Sequence, residues 1–120
     1  NKVDIALDPI PYSGGLCTLE ALSMGTPVIT LAGKLICHRH SVTHLNNTGC
    51  QELIARDVAD YISIALELAG NRQRLLTYSK TLRERLFKSP LLNHKKFLTD
   101  FSETLWEIKR CPKGYSKGGN

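Results

Sequence analysis

Short apolar runs and helix-length amphipathic stretches alternate along this chain in the order expected of parallel strands joined by helices. Residues 3–7, VDIAL, form an apolar run closed by Asp8 and Pro9 and read as a strand. Residues 16–24 suit a short helix, which Gly25 ends in a left-handed conformation and Thr26-Pro27 keeps from continuing. Residues 28–31, VITL, read as a buried strand. Together these make a βαβ unit, whose strands pair in parallel and whose first loop opens at the carboxyl edge of the sheet, where ligands of open α/β sheets bind. Residues 35–45 have helical potential up to the stop Asn46-Asn47-Thr48-Gly49, and 51–55 suit a third, very short strand.

The remainder reads as helix. Asp57 is a good N-cap for a segment in which Val58, Tyr61, Ile62, Ala65 and Leu68 or Ala69 recur at helical spacing until Gly70. Asn71 caps another, with Leu75, Leu82 and Leu86 inward, ending before Ser89-Pro90. Asn93 caps the last, whose Phe97, Leu98, Phe101, Leu105 and Ile108 form an apolar stripe with Trp106 at its edge. That stripe needs a partner surface, and packing on the sheet is the expected one, ahead of any ligand role for Phe97, Phe101 or Trp106. The fold class is α/β, with a sheet so thin for its helices that the chain reads as the carboxyl-terminal part of a doubly wound domain.

At 120 residues the chain is one domain at most, and it contains no apolar run long enough to span a membrane, so a soluble protein is expected. It opens on neither a signal segment nor an initiating Met, which suggests a piece of a longer protein. The net charge of +5 points toward nucleic acid until it is located. Lys109, Arg110, Lys113 and Lys117 carry four of the 16 basic charges, so the body is nearly neutral. Residues 111–120 read as a disordered, solubilising basic tail rather than a nucleic-acid contact. Cys17, Cys37, Cys50 and Cys111 show no Cys-x-x-Cys pair, and free thiols in a cytoplasmic protein are the simplest reading.

The candidate chemistry lies at Gly14 and Gly15. Without Cβ atoms the backbone turns sharply there and lets a ligand come close. The first amides of the following helix have no partner inside it and carry the positive end of its dipole, so a phosphate or diphosphate can fill that place. Read alone, the same residues also suit an ordinary strand-to-helix turn, with Ser13 an N-cap and Glu20 a surface carboxylate offsetting the dipole. Cys37, His40 and His44 would share one face of a helix over 35–45 and invite a zinc site, but no fourth ligand is evident and no metal is expected.

Four blocks, VDIALDPIPYSGG, EALSMGTPVITLAG, LNNTGCQELIA and RERLFKSPL, resemble in content and order the carboxyl-terminal catalytic region of O-linked N-acetylglucosamine transferases and their bacterial and SPINDLY-type relatives, glycosyltransferase family 41. The match runs from about Val3 to Arg110. The resemblance implies that residues 1–110 are part of a Rossmann-like sugar-nucleotide-binding domain of GT-B architecture. It implies an inverting transfer of a sugar, N-acetylglucosamine in this family, from a uridine diphosphate donor to a protein Ser/Thr hydroxyl, without cofactor or bound metal. Donor binding would fall on Ser13, Gly14, Gly15, Leu16, Cys17, Thr18 and Glu20, with Glu20 at the position used for the ribose.

The sequence departs from the family where phosphate-contacting hydroxyls are expected, at Leu16 and Cys17, with Thr18 a partial compensation. Gly15 stands where animal enzymes have a histidine, and Arg39 matches a basic position of the family. The acceptor groove, any helical-repeat module that binds protein substrates, the uracil-contacting segment and the general base would precede Asn1, so no residue here is expected to be catalytic. Partners would be a UDP-sugar and a protein acceptor, with no nucleic acid or membrane. The alternative is a degenerate, non-catalytic nucleotide-sugar-binding or interaction module.

Overall fold

A computed structural model describes residues 2–110. The expected basic tail lies outside them. The βαβ unit is present: β1 (Ala6–Leu7) and β2 (Val28–Leu31) pair in parallel around α1 (Leu16–Ser23), with Ala6 opposite Val28 and Leu7 opposite Ile29. β3 (Ile54–Ala55) adds in parallel to the other side of β2, with Thr30 opposite Ile54, giving the order β1-β2-β3. β1 is shorter than the apolar run 3–7, because an edge strand is defined only where its one neighbour pairs with it. Gly25 ends α1 at φ +79°, as its place before Thr26-Pro27 predicts.

Residues 35–45 do not form one helix. A 3-10 turn, Ile36–His38, is followed by a break at Arg39 (φ −132°) and then by α2, His40–Asn47. The turn brings the His38 side chain over Gly33, where a Cβ on residue 33 would collide with that of His38, and the Arg39 guanidinium donates to the Gly33 carbonyl. Residues 51–53 likewise form a 3-10 turn, leaving only Ile54 and Ala55 to the sheet.

α3 (Val58–Gly70) and α4 (Arg72–Lys88) start where their caps predict, the Asp57 and Asn71 side chains accepting from the Asp60 and Arg74 amides. The core gathers Leu22 of α1, Val28 and Ile29 of β2, Leu45 of α2, Leu53, Leu68 of α3 and Tyr78, Leu82 and Leu86 of α4. Each fully buried leucine or isoleucine among them contributes about 1.5–3 kcal/mol. Of the α3 residues that recur at helical spacing, Leu68 is buried while Val58 and Ile62 are exposed.

α5 (His94–Arg110) departs most from expectation. Asn93 caps it as predicted, accepting from the Lys96 amide, but none of its residues is buried and the stripe does not pack on the sheet. Phe97 and Phe101 stack on each other with ring centroids 5.8 Å apart, and Phe101 remains 52% exposed. Replacing Phe101 by serine should therefore change the unfolding free energy of this chain by less than about 1 kcal/mol, measured by urea denaturation; a loss of several would mean that the stripe is covered in solution.

Candidate functional site

The loop between β1 and α1 is organised by a carboxylate that sequence reasoning took only as the end of a strand. Asp8, buried, accepts hydrogen bonds from the Ser13 hydroxyl at 2.8 Å, the Gly14 amide at 2.7 Å and the Thr30 hydroxyl at 2.6 Å. Charge-assisted bonds of this kind are about twice as strong as neutral ones. Because Thr30 lies on the central strand, they tie the loop to the sheet. Tyr61 of α3 adds a further tie, donating from its hydroxyl to the Asp8 carbonyl at 2.9 Å.

Ser41 on α2 holds the loop from the other side. Its amide donates to the Ser13 hydroxyl oxygen and its own hydroxyl to the Gly14 carbonyl, while its oxygen lies 2.7 Å from that of Thr18. Thr18 also donates to the Gly14 carbonyl at 3.0 Å. Asp8, Thr30, Ser41 and Tyr61 are the site residues that sequence reasoning missed. The one usable signal was a carboxylate directly after an apolar strand, beside a loop rich in small polar residues.

Among the seven expected donor residues, Ser13, Gly14 and Thr18 are thus engaged inside the fold. The Gly14 amide faces Asp8, and a Cβ at Gly14 would meet the Thr18 hydroxyl at 2.9 Å and the Asp8 carboxylate at 3.1 Å. Ser13 is not the N-cap; Gly15 occupies that position, and α1 has no side-chain cap and no acid in its first turn. The amides of Gly15, Leu16 and Cys17 precede the first bond that the helix can close on itself, and find no acceptor among the described residues. Leu16 and Cys17 are exposed, a Cβ at Gly15 would meet nothing within 4 Å, and Glu20 is exposed one turn further along α1.

The loop lies at the carboxyl edge of the sheet. The same edge carries a cavity of about 360 Å³ to which the segments after all three strands contribute, among them Ile10, Ser13, Lys34, His38 and Arg56. A larger groove, of about 540 Å³, lies at the amino edge by Asp4, Gly25 and Arg72, away from the loop.

The histidines of α2 approach the loop from the side. The His40 ring lies 6.2 Å from that of Tyr12. His44, half-buried, has its pKa pushed below the ordinary histidine value by burial and by His40, against the opposing pull of Asp8 and the Gly15 carbonyl. Cys37 sits in the 3-10 turn and not on α2, so the three side chains do not share the helix face on which the zinc reading rested. No group of His, Cys, Asp or Glu among the described residues is arranged to hold a metal ion, and no helix among them is long and apolar enough to cross a membrane.

A family model described as glycosyl transferase family 41 matches residues 1–101. A probable UDP-N-acetylglucosamine–peptide N-acetylglucosaminyltransferase SPINDLY of Eustoma exaltatum subsp. russellianum is 39% identical over 102 residues, which are 85% of this chain and 11% of that protein. The protein of the same name from Arabidopsis thaliana is 32% identical over 116 residues, 97% of this chain and 12% of its own. The solved structure of a mutant Thermobaculum terrenum O-GlcNAc transferase matches with a TM-score of 0.80 at 35% identity, covering 88% of this chain and 20% of that one. The chain spans about a tenth of the length of the curated relatives it matches.

Proposed function

Because the chain belongs to glycosyl transferase family 41, we propose that it forms the phosphate side of the donor site in a longer enzyme that transfers N-acetylglucosamine from a uridine diphosphate donor to a peptide hydroxyl. One observation carries the reading. The amino terminus of α1, without side-chain cap or acid, opens at the carboxyl edge of a parallel sheet in a chain of this family.

The amides of Gly15, Leu16 and Cys17 would bind the diphosphate, and the exposed carboxylate of Glu20 would accept hydrogen bonds from ribose hydroxyls. As the bond to the sugar breaks, negative charge grows on the departing diphosphate. Amides already held in place by Asp8 and Ser41 stabilise that charge most in the transition state, the part a divalent cation plays elsewhere. Attack by the acceptor hydroxyl from the opposite face inverts the sugar. The general base, the uracil contacts and the acceptor groove belong to segments outside this chain, and none of its residues is assigned a catalytic role. The free thiols of Cys17, Cys37 and Cys50 accord with a cytoplasmic protein.

Leu16→Pro is the test. Proline is tolerated at the first position of a helix, and Gly15, lacking Cβ, accommodates the constraint that a following proline imposes. In the complete polypeptide that carries this chain, the loss of one amide donor should weaken UDP-N-acetylglucosamine binding by about 10- to 100-fold while stability changes by less than about 1 kcal/mol. Leu16→Ala, which keeps the amide, should bind as before. Equal binding by the proline variant would refute the amide seat. A second reading, a non-catalytic relative, is favoured by the apolar Leu16 side chain, 69% exposed where the family resemblance implies a hydroxyl. Donor binding without hydrolysis or transfer would support that reading.

A further inference from the structure

His44 is the titratable group beside the loop that the donor-site reading leaves unused. Ser41, one turn earlier on α2, is bonded to both Ser13 and Gly14, which brings the His44 ring against the loop. Its Nδ1 is closed off from solvent and has no hydrogen-bond partner, the one such side-chain atom among the described residues. The Gly15 carbonyl lies beside the ring. A buried polar atom left unpaired costs stability, so its retention beside a ligand loop calls for a reason.

The charged groups facing the ring are His40 from its own helix and Asp8 from the loop after β1. The other elements packed against α2 add little. α1 has no acid in its first turn, β2 is uncharged, the turn at 36–38 carries Cys37 and His38, the turn at 90–92 is uncharged, and Glu52 of the turn at 51–53 accepts from the Tyr78 hydroxyl. Nothing on these elements cancels the charge that a protonated ring would bring to the positive end of α1. In the free protein burial and His40 lower the ring's affinity for a proton.

Resting on the donor-site reading, we propose that His44 is a further donor-binding residue: as the diphosphate reaches the Gly15–Cys17 amides, the ring takes a proton from solvent, one N–H donating to the Gly15 carbonyl and the other to a phosphate oxygen. The anion adds its negative charge to that of Asp8 beside the ring. The contact stands in for the hydroxyls absent at Leu16 and Cys17. It also makes donor affinity depend on pH, because each bound donor brings a proton with it.

Calorimetric titration of the complete polypeptide with UDP-N-acetylglucosamine, in two buffers of different ionisation enthalpy, counts that proton; the donor's own phosphodiester oxygens do not titrate near neutrality. Expected are net proton uptake and a three- to tenfold tightening of binding, roughly, from about pH 8 to about pH 6. Both should vanish in His44→Gln and persist in His40→Gln. Binding without proton uptake, or uptake unchanged in His44→Gln, overturns the role of His44 and leaves the amide seat standing. Failure of the unaltered protein to bind at any pH overturns the donor-site reading itself. Should His44→Gln not fold, the NMR titration of the His44 ring in the unaltered protein decides: its midpoint rises when donor is present, and an unmoved midpoint refutes the proposal.

Discussion

Asp8→Ala is expected to lower the unfolding free energy by about 3–5 kcal/mol, since it strands buried donors that the fold cannot easily re-pair. The carboxylate accepts from the Ser13 hydroxyl, the Gly14 amide and the Thr30 hydroxyl, and Thr30 is fully buried. Each stranded donor costs about 1–3 kcal/mol, and the hydroxyls recover part of that by rotating. The loop loses its tie to the central strand, so the amides ahead of α1 lose their alignment and donor binding falls with stability. Asp8→Asn keeps the shape but turns an amide group toward groups that themselves donate, and should be intermediate. Urea denaturation gives the free energies. A loss below about 1 kcal/mol for Asp8→Ala would mean that the loop holds its form without the carboxylate.

Gly25→Val should be about as costly for a different reason. At φ +79° a residue bearing Cβ is strained by about 1–2 kcal/mol. The added Cβ would also stand 2.7 Å from the Ser79 carbonyl oxygen and within 3.3 Å of two further Ser79 backbone atoms. That backbone belongs to α4, which places Tyr78 and Leu82 in the core beside Leu22 of α1. Relief requires the two helices to separate, an overpacking cost of about 1–3 kcal/mol, for a total of about 2–5 kcal/mol. Gly49→Ala separates the two contributions. Its φ of +68° imposes the same conformational strain, but its Cβ would meet nothing within 4 Å, so the loss should stay near 1–2 kcal/mol, roughly the strain alone. Equal losses at the two glycines would remove the contact with α4 from the explanation.

What could be read from the residues was what local chemistry decides. Gly25 before Thr26-Pro27 marks the end of α1, and Asp57, Asn71 and Asn93 each mark a helix start through a bond to an amide three residues on. The family was legible from four blocks that lie far apart in the chain. What escaped depends on neighbours distant in sequence. The contacts of Asp8 with Thr30 and of Ser13 with Ser41 span 22 and 28 residues, and nothing local announces them. The break at Arg39 accompanies the packing of His38 on Gly33, which helical periodicity cannot register. The α5 stripe was legible as apolar but not as uncovered, since amphipathic spacing says which face wants burial and not what supplies it. At the loop proposed to bind the donor, the glycine pair was read as offering two like amides, and the structure gives them different surroundings. The Gly14 amide is taken by Asp8, and the open ones begin at Gly15.

The loop proposed as the phosphate seat has its shape set by Asp8 and Ser41, within the fold itself. On that proposal an incoming donor would lose little affinity to the ordering of flexible chain on this wall of the site. Capture would then be governed by the frequency of correctly oriented collisions rather than by a slow rearrangement, and the length of stay by how many amides the phosphates reach.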